Sequence, residues 1–536
     1  ILDLVRHYPY LGLYYFGNHT IAQDWFVTHT TNMFDELGER YNRVFNVGIG
    51  VNDELSLFVH DQSAANYINE KKTKVLKRIE ALYWRKDEYR PFFKTIIQTV
   101  DELPDVNIHT LCESIKWKER IVSAVAPFLT QYNDTREKLK MQRDEQYKLA
   151  YDSRKNKEEE TTAYKKYREI EILIQGLDSI VAIPNLLEIT DRERQLICGD
   201  VLTVFGEAGT GKSQLLAFET KQLIDAGRVG LLLIAGQYYT FEPIQEQIMK
   251  NLRFDYRLDV LIDILEAFGE KDNCIIPIFI DALNETWNRQ LWKSGLSAII
   301  EKIKRTPMVK LILSYRPEYE NYILPDSVRL LIQSGAVVTI HHRGFEDTGI
   351  SAIREFLNHY SIPFTPLEYF GYEMSNPLFL TLYCKTYNGE EISLPTLYER
   401  LLKHANINIY KAMEKELNGK GYSEDDDILK PLINEIALVL VSHNERSISH
   451  RDIVKLDFWS EYGFSPAPFI KQLIREHILH NSIFEDKERF YFTYDQMNDY
   501  YCAKAILDKY SDKTGIRQYL TENVLGIRNG KLENAW

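Results

Sequence analysis

The chain is poor in cysteine: 536 residues carry five, at positions 112, 198, 274, 384 and 502, and no two are spaced Cys-x-x-Cys. This excludes a compact disulfide framework and a cysteine-based zinc or redox motif, and fits reduced, mostly buried thiols. A basic excess is lacking too. Lys and Arg total 65 against 78 Asp and Glu, a net charge of −13, which disfavours a general nucleic-acid or anionic-lipid surface while leaving room for a local patch. No window reads as long and apolar enough to cross a bilayer, and no basic segment followed by an apolar one opens the chain, so no membrane partner and a cytoplasmic location are expected. Internal repeats and low-complexity tracts are absent. Between Pro127 and Gly176 there is no glycine or proline, and the stretch Arg136 to Glu171 holds 11 basic and 9 acidic residues. One helix of that length would reach about 70 Å, so a rod or an antiparallel pair is expected. The packed pair is favoured, because the sparse apolar positions hold no clean heptad.

What is present is an ordinary globular composition, 44% hydrophobic and 27% charged, in a chain long enough for about three or four domains. Its most informative stretch is VLTVFGEAGTGKSQLLAF, residues 201 to 218. A short apolar run, predicted as a strand, breaks into a glycine-rich loop and resumes at helical spacing. Gly206, Gly211, Lys212 and Ser213 fill the phosphate-loop pattern G-x-x-x-x-G-K-[ST]. Glycines let successive backbone N–H groups turn toward phosphate oxygens, and the following helix adds the positive end of its dipole. Lys212 would reach the β- and γ-phosphates, and the Ser213 hydroxyl would sit on a magnesium ion. The loop Gly206, Glu207, Ala208, Gly209, Thr210, Gly211, Lys212, Ser213 and Gln214 is therefore the expected nucleotide-binding segment.

Two further strand ends point to the same chemistry. The run CIIPIFIDALNE ends in Asp281, expected to hold Mg²⁺ beside Ser213, with Glu285 four residues on to orient or activate the attacking water. Pro277 lacks the N–H that a central strand uses and suggests a bulge or a late-starting strand. The run KLILSYRPEY brings Ser314 and Arg316 to the same edge, where an arginine can neutralise the γ-phosphate. His341 and His342, without nearby cysteines or spaced acids, read as structural.

From Gly176 the texture alternates helix and buried strand, as in a parallel α/β sheet. The predicted strands are 201–205, 230–235, 274–280, 310–315 and 337–340. Residues 1–22, aromatic-rich and aperiodic, read as the end of a preceding domain or linker; 23–175 as a mostly helical linker region; 176–345 as the nucleotide-binding domain; 346–418 as a helical domain; 425–508 as a winged helix; and 509–536 as the start of a further region. The winged helix rests on helical patterns at 428–442, 449–455 and 466–476 before a hairpin whose strands are Ile483-Phe484 and 490–493, turning at 485–489.

In this order, the three nucleotide elements resemble those of the signal-transducing P-loop ATPases called STAND proteins, particularly the NACHT-like branch. Where that branch ends its second element in two acids, this chain has Asn284-Glu285, leaving Glu285 as the obvious catalytic carboxylate and implying slow turnover. Ala235-Gly236-Gln237, the NPLFL segment around Pro377, FTYDQMNDYY at 492–501, and Asp24-Trp25-Phe26 with Leu37 to Asn42 and Asn46-Val47 are similar to segments of the bacterial antiviral STAND proteins called Avs. The resemblance implies ATP or ADP and Mg²⁺ as cofactors, Pro377 near the adenine, and Tyr494 at the place where relatives carry a histidine that senses ADP. It also implies an effector before Ile1, a sensor after Trp536 that binds a phage protein of the terminase or portal class, and assembly into homo-oligomers, commonly tetramers. Nucleic acid would be met only by such an effector. The expected role is an ATP-dependent switch in an anti-phage immune sensor. The alternative is an AAA-type motor or remodeller coupling steady hydrolysis to work on nucleic acid or protein.

Overall fold

In a computed structural model, the structure describes residues 19–37, 41–42, 46–83, 89–155, 162–207, 209–238, 240–286, 288–346, 348, 350–363, 374–387, 394–443, 445, 447–476, 478–484, 487–493, 495–509, 515–517, 521, 527–528 and 531–532. Tyr494 and Ala208 lie outside these residues, as do residues 1–18 of the aromatic N-terminal stretch.

Five parallel strands form the central sheet: β1 (Val201–Phe205), β2 (Leu231–Ile234), β3 (Ile276–Asp281), β4 (Val309–Tyr315) and β5 (Val338–His341), in spatial order β2-β3-β4-β1-β5. Each lies within two residues of the expected apolar run. The runs are nearly continuous because both faces of the sheet are covered. Leu202, Val204, Leu232, Ile234, Phe279 and Ile312 face one apolar cluster, while Val201, Leu231, Leu233, Ile278, Ile280, Leu311 and Leu313 face another, sorted by the two-residue period of a strand. Pro277 sits inside β3, not at a bulge. Ile276 N–H bonds to Met308 on the β4 side, and β2 begins pairing only at Ile278, so the N–H that Pro277 lacks would face no ladder.

The N-terminal helices are not a detached linker. Buried side chains from Gly50–Val59, Gln62–Tyr83, Arg90–Asp101 and Trp117–Lys155 share one core with a face of the sheet. Buried polar groups tie the two together beneath the strands. The Arg228 guanidinium donates to the carbonyls of His60 (2.8 Å), Val59 (3.2 Å) and Ile275 (2.9 Å), and Lys310 Nζ donates to Ile197 O at 2.8 Å. Such groups keep buried cations supplied with acceptors, without which burial would be costly.

The charged stretch folds as two helices, Trp117–Lys155 and Thr162–Val181, packed antiparallel: Arg136 pairs with Asp178, Arg143 with Glu171, and Tyr147 lies 5.6 Å from Tyr167. Pro127 and Gly176 both fall inside these helices and mark no boundary, since one lost hydrogen bond or one flexible residue is tolerated in a long packed helix. The change of texture expected at Gly176 therefore comes later, after Val181. One hydropathy expectation also needs correcting. Within residues 162–198 an 18-residue window reaches a mean hydropathy of 1.5, long and apolar enough by composition to cross a membrane. This is a weak sign. The helix breaks after Val181 into the turn Ile183–Leu187, and Ile174, Leu177, Ile180, Ile183 and Leu187 are buried in the protein.

From β5 as far as His443 the described elements are helical, and a third core joins Val47 and Ile49 to residues between Phe345 and Ala505. The helices Leu429–His443, His450–Ile453, Asp457–Tyr462 and Pro466–Arg475 lead to an antiparallel sheet in the order β6-β8-β7, formed by β6 (Ile448–Ser449), β7 (Leu479–Phe484) and β8 (Lys487–Phe492). Its hairpin strands are longer than expected, because the pairing of Leu479 with Phe492 continues unbroken to Phe484 with Lys487.

Candidate functional site

Parallel strands deliver their C-terminal ends, and the loops that follow, to one edge of the sheet. Here β1, β3, β4 and β5 open together onto a cavity of about 430 Å³. The glycine-rich loop forms its floor. Gly209 (φ 75°) and Gly211 (φ 105°) take left-handed backbone conformations that other residues rarely adopt. At Gly206 a Cβ would lie 2.2 Å from the His342 carbonyl oxygen, so β5 could not pass the loop if that residue carried a side chain.

Lys212 begins the helix Lys212–Asp225 and folds back over the loop, donating from Nζ to the carbonyls of Gly206 (2.5 Å) and Glu207 (2.7 Å). Burial, with Arg316 nearby, pulls its ammonium down to about 8. Ser213 Oγ donates to one Asp281 oxygen at 2.6 Å, and Ser314 Oγ donates to the other at 2.6 Å. The same Ser314 oxygen accepts from Ala282 N–H at 2.7 Å and so holds Ala282 in a left-handed turn (φ 57°) that aims the following residues back at the cavity. Asn284 Oδ1 accepts from Arg316 N–H at 3.2 Å, linking the ends of β3 and β4. Glu285 and Arg316 both line the cavity, with Glu285 Oε2 3.5 Å from where a Cβ on Gly236 would sit. A hydroxyl and a carboxylate side by side form a hard-oxygen donor pair suited to a divalent cation that also takes phosphate oxygens and water. Among the described residues no cluster of three or more His, Cys, Asp or Glu forms a separate metal centre.

Pro377 opens the helix Pro377–Thr386, capped by Asn376 Oδ1, which accepts from Leu378 and Phe379 N–H at 3.0 and 3.2 Å. Leu378 N–H also donates to Gly209 O at 3.2 Å, so this helix is seated on the glycine-rich loop. The structure thus brings Gly209, Thr210, Gly211, Lys212, Ser213, Gln214, Asp281, Glu285, Arg316 and Pro377 to one cavity. Gly206 and Glu207 lie at its base, through their bonds to Lys212.

Several lining residues lie outside the nucleotide motifs, although Tyr41, Asn42, Asn46 and Val47 fall in the segments singled out by the resemblance. Phe345, Phe356 and Tyr360 give the cavity an aromatic wall, and Tyr41, Asn42, Asn46, Val47, Ile49 and Asn52 also line it, with Val47 and Ile49 in one core with Phe345 and Phe356. Gln214 holds that segment: its carboxamide accepts from Asn42 N–H at 2.7 Å and donates to Asn42 O at 3.1 Å. His342, read from sequence as structural, also lines the cavity. Its position just past the end of β5 was the available clue, because β5 neighbours β1 in a sheet whose C-terminal ends converge.

The fold and this loop together define an α/β P-loop NTPase-like core. No family model matches the chain, and no curated protein matches it. Among solved structures, it is similar to a Cdc6 protein from Pyrobaculum aerophilum, with 13% identity over 58% of this chain and 89% of that one and a TM-score of 0.23. It is also similar to AMPPCP-bound DnaA from Aquifex aeolicus, with 12% identity over 52% and 81% and a TM-score of 0.29. A third likeness is to Aeropyrum pernix Orc1 in complex with DNA, with 12% identity over 65% and 94% and a TM-score of 0.28. At these scores the likenesses carry no argument about role, which rests on the residues of the cavity.

Proposed function

We propose that the chain is the nucleotide-dependent switch of a bacterial anti-phage immune sensor of the STAND class, binding ATP or ADP with Mg²⁺ in this cavity. One observation carries the reading: the cavity is walled by three separate parts of the chain. These are the P-loop core, residues 41–42 and 46–52 with Asn42 held by Gln214, and the part of the chain after β5 through Phe345, Phe356, Tyr360 and Pro377. A ligand that touches all three can stabilise one relative arrangement over another by its differential contacts. Outside the cavity, the β7–β8 hairpin touches the core through Tyr319, just beyond Arg316, whose Oη donates to Asn481 O. A change at Arg316 on meeting a γ-phosphate is thereby one turn away from the hairpin.

In this reading Lys212 and Arg316 neutralise phosphate charge, Ser213 and Asp281 hold Mg²⁺, and Glu285 orients water. Pro377 packs near the base. Residues 425–508 act as a winged helix, the resemblance gives ADP sensing to Tyr494, and assembly into cytoplasmic homo-oligomers follows recognition of a phage protein by a sensor. Steady hydrolysis, as in a motor, is the competing use of the same groups. Glu285→Gln separates them. Turnover should fall roughly a hundredfold or more, as loss of a positioned base does. Hydrogen exchange at segment 41–52 and at the β7–β8 hairpin should still differ between the ATP and ADP states. Identical exchange in the two states, in wild type or variant, contradicts the switch.

A further inference from the structure

We propose that His342 is a nucleotide-binding residue whose Nε2–H donates to the phosphate chain of a bound nucleoside di- or triphosphate. The proposal rests on reading the cavity as a nucleotide site and deepens it. His342 is 3% exposed, and its backbone N–H donates to Phe205 O at 2.8 Å, which fixes it beside the start of the glycine-rich loop. Gly344 N–H donates to Nδ1 at 3.2 Å. The ring is neutral: burial first, then Lys212 and His341, lower it to about 3. A neutral imidazole whose Nδ1 accepts carries its one proton on Nε2. That edge faces Gly211, with Cε1 and Nε2 each 3.6 Å from where a Cβ on Gly211 would stand, and the ring lines the cavity. Among the described residues no acceptor is seen for Nε2.

The acceptor is identified by its surroundings. Lys212 and Arg316 line the same cavity, so the group that enters brings negative charge, and a glycine-rich loop presents N–H groups to phosphate oxygens. A neutral donor suits this place better than a third cation. It adds a hydrogen bond to an anionic oxygen without adding repulsion to Lys212 while the site is empty. Gly211 matters twice, since a side chain there would stand between the ring and the ligand.

Two substitutions isolate the donor. In His342→Asn the amide oxygen can replace Nδ1 and keep the Gly344 bond, but the side chain ends short of Nε2. In His342→Gln the amide nitrogen reaches the Nε2 position. Binding of ADP with Mg²⁺ is measured by calorimetry on the full chain, alongside thermal melting without nucleotide. The Asn variant should weaken ADP binding roughly ten- to hundredfold, the value of a hydrogen bond to a charged group. The Gln variant should stay within about threefold of wild type in ADP affinity; the Asn variant should melt near the wild-type temperature, and the Gln variant somewhat below it because the buried Gly344 N–H loses its acceptor. Equal ADP affinity in His342→Asn and wild type overturns the proposal, and so does an equal loss in both variants. If the Asn variant does not fold, wild type with ¹⁵N-labelled histidine decides. ADP should move the Nε2 resonance that is missing from the Gln variant, and an unmoved resonance overturns the proposal. Failure of wild type itself to bind ADP would instead sink the nucleotide reading, a result distinguishable from either.

Discussion

Glu219 lies on the helix that follows the glycine-rich loop, 2% exposed, with no partner for Oε1 among the described residues. Burial, helped by the negative charge of Asp61 and opposed by Arg228, raises its carboxyl from 4.5 to about 8. Below pH 4.5 both folded and unfolded chains hold this proton and stability is unaffected. Between 4.5 and 8 the unfolded chain releases it and the folded chain does not, so stability falls with rising pH and levels off above 8. At about 1.4 kcal/mol per pH unit, the loss reaches about 3 kcal/mol by pH 7 and about 5 kcal/mol by pH 8. Glu219→Gln keeps the shape and removes the titration. Thermal melting of the two proteins from pH 5 to 8 should show the variant gaining on wild type as pH rises, by about 5 °C or more across the range. A difference that stays constant with pH, or shrinks, refutes the buried neutral carboxyl.

Three other outcomes follow from the same contacts. Ser314→Ala strands the Ala282 N–H and removes one bond to Asp281, so melting should report a loss of about 1–3 kcal/mol and Mg²⁺ should enhance nucleotide binding less than in wild type. Gly206→Ala drives a Cβ to 2.2 Å from the His342 carbonyl; a cost of about 1–3 kcal/mol and weaker ADP binding are expected from melting and calorimetry. Tyr319→Phe removes the bond to Asn481 with little change of shape, so limited proteolysis of the β7–β8 hairpin should quicken while ADP affinity stays near wild type.

The five strands were legible because a sheet covered on both faces needs nearly continuous apolar runs, and the glycine-rich loop because its chemistry is local in sequence. Asp281 and Arg316 were legible for a related reason, as polar residues ending apolar strands. What escaped is long-range. The core shared by residues 50–125 and the sheet depends on pairings such as Arg228 with the His60 carbonyl, 168 positions apart, which no helical period announces. Pro277 read as a bulge or a late-starting strand; β3 does start two residues late, at Ile276, but only the start of β2 pairing at Ile278 shows that the N–H Pro277 lacks would have no partner. Gly176 read as a boundary because a single residue's propensity is small beside the packing of two long helices. His342 read as structural because two adjacent histidines at a strand end, without nearby cysteines or spaced acids, carry no pattern, and the Gly344 bond that sets its proton exists only in three dimensions.

The central claim is that one P-loop cavity binds nucleotide through Lys212. Calorimetry of ADP and ATP with Mg²⁺, on wild type and Lys212→Ala side by side, tests it most directly. Wild type should bind both nucleotides, and the variant should lose roughly ten- to hundredfold in affinity as the charged contact to phosphate disappears. Wild type that binds neither nucleotide, or a variant that binds as tightly as wild type, would contradict the account.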